Sequence, residues 1–190
     1  MKPVYLYLIA LIAGIGMIVP MLTQSNQGKQ DTKPGASAPT INGTLTNGKA
    51  FDLHKTAKES PVLVVFISTS CPVTNESAPH FENILKAYKS SKMSFVGVVN
   101  SNKSSAERWA SNQKATIPMI PDAEKKVIRA YGITNAPSAA LIGKEGKVIK
   151  IWKGYSRVIL EEINSEIAKA LGTKTAALDF SKAPRNLQAG

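Results

Sequence analysis

Cys71 is the only cysteine in the 190 residues, and it sits in the run Ser68-Thr69-Ser70-Cys71-Pro72-Val73-Thr74. A lone cysteine is most often a small buried hydrophobe. What sets Cys71 apart is its context. Six consecutive apolar residues, Val62 to Ile67, precede it and read as a strand buried on both faces. Ser68 to Ser70 then break the run as a turn. Pro72 suits the first turn of a helix, where its missing N–H costs nothing. Cys71 is therefore expected at a helix N-terminus, at the C-terminal end of a central strand, with its sulfur bare at the mouth of the fold. Such a helix end presents unpaired N–H groups and about half a positive charge. It favours the thiolate, which is the nucleophilic form. The Thr74 hydroxyl is placed to donate a hydrogen bond to that thiolate, or to cap the first turn of the helix instead.

The elements that must position this thiol can be followed along the chain. Thr40 to Leu53 alternates and contains Asn42-Gly43 and Asn47-Gly48, which favour hairpin turns. After Cys71, the residues Val73, Phe81, Ile84, Leu85 and Tyr88 share one helical face, and Pro79 should kink that helix. Residues 93–99 read as a second buried strand, 104–114 as a helix capped by Ser104 or Ser105, and 117–120 as a short strand. Residues 123–131 form a helix ended by Gly132. Strands at 138–142 and 147–152, the latter on the sheet edge, precede a last helix lined by Val158, Ile159, Ile163, Ile167 and Leu171.

These motifs in this order resemble a known family. The stretches APTINGTLTNGKAFDL at 38–53, the strand with Cys71-Pro72, IPMIPDAEKKVIRAYGI at 117–133 and NAPSAALIGKEGKVIKIWKG at 135–154 are similar to the thioredoxin-fold redoxins. That group includes the peroxiredoxins and the membrane-anchored thioredoxins of the TlpA and ResA type. The resemblance implies an α/β, thioredoxin-like three-layer fold with a central mixed sheet and an N-terminal β-hairpin. It implies that Pro137 is cis and faces the reactive cysteine.

Departures from the family pattern bear on function. A dithiol oxidoreductase needs a second cysteine where this chain has Thr74, and with one cysteine no internal disulfide can form. Peroxiredoxins carry Thr or Ser three residues before their cysteine, matched by Ser68. They carry a Pro where this chain has Val64, and an Arg at the position of Pro137. Arg129, the nearest other candidate, lies on a helix expected to point elsewhere. Three readings follow: a monothiol thiol-disulfide oxidoreductase, a one-cysteine peroxidase, and a redoxin-fold binding protein without redox chemistry. The candidate site comprises Cys71, Thr74, Pro137 and Ser68. The expected partners are protein thiols or disulfides or small peroxides, with an external thiol reductant. No cofactor and no metal is expected.

The remaining features are plain. Pro3 to Gly28 carries no charge, and Val4 to Leu22 as a helix reaches about 28 Å, near a bilayer core. Residues 1–23 are expected to be a transmembrane anchor, or else a signal peptide. Lys2 before the apolar run puts the rest on the extracytoplasmic (periplasmic) side. Residues 24–39 read as a flexible linker, 40–172 as the redoxin domain, and 173–190 as a polar, mobile tail. His80 lies about 13 Å along the helix from Cys71, too far to act as its base, and Trp109 and Trp152 read as packing residues. The net charge of +11 raises nucleic acid, but the lysines are scattered without aromatic stacking platforms. An anionic membrane surface or solubility accounts for it more simply.

Overall fold

The computed structural model describes residues 32–190. The expected N-terminal anchor lies outside the described residues, and no described helix is long and apolar enough to cross a membrane.

The organising element is β3 (Val62–Ile67), all six residues of which are buried. It pairs in parallel with β4 (Ser94–Val99) and antiparallel with β6 (Ser138–Ile142). Adding β5 (Met119–Pro121) and β7 (Val148–Lys153) gives a five-stranded mixed sheet in the order β5-β4-β3-β6-β7. Successive side chains of a strand point to opposite faces. Leu63, Val65 and Ile67 enter one core with Phe81, Ile84, Trp109 and Ile163. Val62, Val64 and Phe66 enter the other with Leu53, Ala57 and Tyr131. An uninterrupted apolar strand is thus required by a sheet covered on both sides.

The first face is covered by α2 (Pro72–Tyr88), α3 (Lys103–Gln113) and α5 (Arg157–Leu171). The other carries α1 (Leu53–Glu59), α4 (Lys126–Ala130) and the hairpin of β1 (Asn42–Thr44) and β2 (Ala50–Asp52). This is the expected three-layer α/β arrangement with its N-terminal hairpin. Helix α1 was not foreseen. Asp52 caps it by accepting from the Lys55 N–H at 2.9 Å, and Leu53 and Ala57 supply its buried face. The hairpin turns at Asn47-Gly48, whereas Asn42-Gly43 lies within β1. The short helix predicted over 123–131 is confined to Lys126–Ala130. Asp122 accepts from the N–H groups of Lys126 and Ile128 and so fixes its start. Val158, expected on the buried face of α5, is 65% exposed.

Both ends of the domain differ from expectation. The linker was to run to Pro39, yet Gly35 and Ala36 hydrogen-bond Val148 on the edge strand β7, and Ala38 is buried. Tyr131, fully buried, donates its hydroxyl to the Pro39 carbonyl at 2.9 Å, and burial pushes its phenol well above the ordinary range. Residues 173–190 were expected to be mobile. Instead Phe180 and Ala183 enter the core on the α2/α5 side, and Asn164 donates to the Ala176 carbonyl. Two buried apolar anchors in an otherwise polar stretch suffice to fasten it.

Candidate active site

The chain leaves β3 through Ser68 to Ser70 and turns into α2 at Cys71, which occupies the N-cap position with Pro72 in the first turn. The backbone is fixed from both directions. The Cys71 N–H donates to the Ser68 carbonyl at 3.2 Å, and the Cys71 carbonyl accepts from the N–H groups of Thr74 and Asn75. The Ala136–Pro137 peptide, just before β6, is cis. The Cys71 thiol donates to the Ala136 carbonyl at 3.6 Å, the only hydrogen bond of that sulfur among the described residues. Cysteine and proline loop therefore meet as the resemblance implied.

The sulfur is not bare, however; Cys71 is 9% exposed. Its cover comes from the far end of the sequence. The Gly190 N–H donates to the Ala136 carbonyl and the Ala136 N–H to the Gly190 carbonyl, both at 2.9 Å. A Cβ placed on Gly190 would lie 2.6 Å from the Cys71 Sγ. Nothing in the polar tail sequence points to this, because the contact is made by main chain.

Thr74 is 2% exposed, and its hydroxyl has no hydrogen-bond partner. The expected bond from that hydroxyl to the thiol is absent, and so is a capping bond from it. The side chain instead lines a narrow cavity of about 20 Å³ with Val65, Ser77, Glu82 and Pro137. Glu82, also buried, is engaged on the far side, where it accepts from the N–H and the hydroxyl of Thr116.

Ser68 is not aimed at the sulfur either. Its hydroxyl accepts from the Asn100 amide at 3.0 Å. It lines a cleft of about 340 Å³ with Asn100, Lys125, Arg129, Ala136 and Gly190. Arg129, expected to point away from the site, thus stands on the wall of a cleft that reaches the proline loop. Neither Arg129 nor any other cation bonds the sulfur among the described residues. His80 packs between the rings of Tyr155 and Phe180, at 6.3 and 6.2 Å. Burial lowers its pKa, with Asp179 opposing. Trp109 and Trp152 are buried, their indole N–H groups donating to Asn75 and Glu162. No cluster of metal-binding side chains occurs among the described residues.

A helix-capping Cys-Pro at the end of the central strand, opposite a cis-proline loop in a mixed sheet with this order, defines a thioredoxin-fold protein. Comparison with known proteins narrows the class. The family model described as Redoxin matches residues 33–171, and the chain belongs to that family, in its TlpA/ResA type. It is 30% identical over 128 residues to a thiol-disulfide oxidoreductase ResA of Bacillus subtilis, covering 67% of this chain and 71% of the relative. The ResA of Halalkalibacterium halodurans is 24% identical over 149 residues, covering 77% and 84%. Among solved structures, a thiol:disulfide interchange protein of Chlorobium tepidum superposes with a TM-score of 0.61 at 25% identity, covering 75% of this chain and 99% of that one. The peroxidoxin BcpB of Mycobacterium tuberculosis gives 0.61 at 17% identity, covering 75% and 97%, a likeness of fold alone.

Proposed function

We propose that the protein is a thiol-disulfide oxidoreductase that works through the single thiol of Cys71. The observation that carries this reading is the meeting of Cys71 Sγ with the Ala136 carbonyl at the cis-proline loop. Relatives named as thiol-disulfide oxidoreductases support the reaction class.

The Cys71 thiolate attacks one sulfur of a partner disulfide. A mixed disulfide forms, and the other partner sulfur leaves as a thiolate. With no second cysteine in the chain, release requires an external thiol. Its thiolate attacks the partner's sulfur, returns Cys71 as thiolate, and stays joined to the partner. Proximity positions the two sulfurs, and the Ala136–Pro137 loop beside Cys71 forms the wall against which the partner lies. Thr74 and Ser68 shape the site without a hydrogen bond to the sulfur.

A peroxidase reading is weaker on geometry. Ser68 bonds Asn100, and among the described residues no cation bonds the sulfur to stabilise developing charge. The uncharged run Pro3–Gly28 supports a tethered domain on the extracytoplasmic side of a membrane. The test is mixed-disulfide trapping under oxidising conditions: wild type captures partner proteins and Cys71→Ser does not. Equal capture by both would reject Cys71 as the reacting group.

A further inference from the structure

The segment after α5 has two parts held in different ways. Residues 173–186 are anchored by side chains. Phe180 and Ala183 are buried, and the Arg157 guanidinium and N–H hold the Ser181 and Pro184 carbonyls. Residues 187–190 bury no side chain; Leu187 is 60% exposed. They are held by main chain alone. Tyr155 and Gln188 exchange two N–H···O bonds at 2.8 Å, and Ala136 and Gly190 exchange two at 2.9 Å.

Both ends of this crossing are close approaches at a glycine. Gly154, at φ +84°, lets the Gln188 carbonyl approach to 2.6 Å from where a Cβ would sit. Gly190 lets the backbone lie directly on the Cys71 sulfur. The Ala136 N–H and carbonyl stand beside the sulfur and outside the β6 ladder, and residue 190 bonds both.

We propose that residues 187–190 are a displaceable autoinhibitory strap. They occupy, in the manner of an added β-strand, the groove in which an extended polypeptide carrying an oxidised cysteine would lie. Such a partner replaces the strap bond for bond. It accepts from and donates to Ala136, and its half-cystine takes the place that Gly190 now holds against Cys71. Selection follows: a flexible strand that can pair with both Ala136 and Tyr155 displaces the strap, whereas a compact small oxidant meets a covered sulfur. The inference rests on Cys71 being the reactive thiol, but the cover can be measured apart from the reaction.

Two full-length variants test it. In Gly190→Cys, treatment with diamide at low protein concentration should give a disulfide between the introduced thiol and Cys71. Two electrons and two protons pass to diamide, and the chain loses two hydrogens by mass without dimerising. In Gln188→Pro, which removes an N–H that bonds Tyr155, alkylation of Cys71 by iodoacetamide should quicken at least about tenfold relative to wild type, once scaled to the rate in denaturant. Only intermolecular disulfides in the first, or an unchanged rate in the second with the fold intact by circular dichroism, would overturn the strap. Faster alkylation without any trapped partner would keep the strap and reject the oxidoreductase reading.

Discussion

Replacing Thr74 by Val changes one buried atom whose hydrogen-bonding state the structure defines. The hydroxyl of Thr74 is enclosed and has no partner. A buried hydroxyl left unpaired costs about 1–3 kcal/mol relative to one that is satisfied. Valine keeps the branched shape and removes the penalty, so Thr74→Val should stabilise the fold, by about 1–2 kcal/mol. In a domain of this size that corresponds to a rise in Tm of roughly 2–8 °C. Thermal and urea unfolding of the Thr74→Val and wild-type proteins, both reduced, measure it. Because the hydroxyl makes no bond to the sulfur, the second-order rate of Cys71 with a disulfide should stay within about threefold at equal thiolate fraction. A loss of stability would refute the reasoning, since it would mean that the hydroxyl has a partner in solution. A large fall in rate would restore the bond to the thiolate that the sequence suggested.

Two further substitutions follow from the same geometry. Thr74→Cys puts a second sulfur one helical turn from Cys71, and it should yield an intramolecular disulfide and dithiol reduction of a protein disulfide such as insulin; failure to oxidise internally would show that the first turn of α2 cannot close the bridge. Partial burial against the rings of Tyr155 and Phe180 lowers the pKa of His80 in the folded protein below the ordinary 6.5. The unfolded chain then binds the extra proton first, and stability present above about pH 6.5 is lost as pH falls below it. His80→Gln should flatten that part of the stability–pH profile, and an unchanged slope would show that other groups cause it. The charges facing His80 across its cleft are Glu76, Asp179 and Lys182, of which Asp179 opposes the shift.

The parts of the fold that burial dictates were legible in the sequence. Val62–Ile67 fits a strand covered on both faces, and Pro72 after Cys71 fits the first turn of a helix, as the structure has them. Helix α1 was missed because it has seven residues and two buried positions, too short for periodicity to register. Its usable signals were the Asp52 cap and the spacing of Leu53 and Ala57. The spacing of Thr74 from Cys71 suggests a bond to the sulfur, but in the fold the residue lines the cavity beneath the helix and its hydroxyl is unpaired, which spacing cannot reveal. Helix direction alone points Arg129 elsewhere, yet it lines the cleft beside Ala136, on a short helix whose start Asp122 fixes. The tail was the largest gap. Gly190 acts through its amide, its carbonyl and its lack of a side chain, and none of these leaves a pattern among neighbouring residues.

The central claim concerns one sulfur and one bond. Wild-type protein mixed with a disulfide-linked peptide and followed by intact mass spectrometry should gain one peptide through Cys71. Once the released peptide thiol is removed by desalting, that adduct should persist, because no second thiol in the chain can displace it, and it should vanish when an external thiol is added. No adduct on the folded protein, or an adduct that clears without added thiol, would contradict the account.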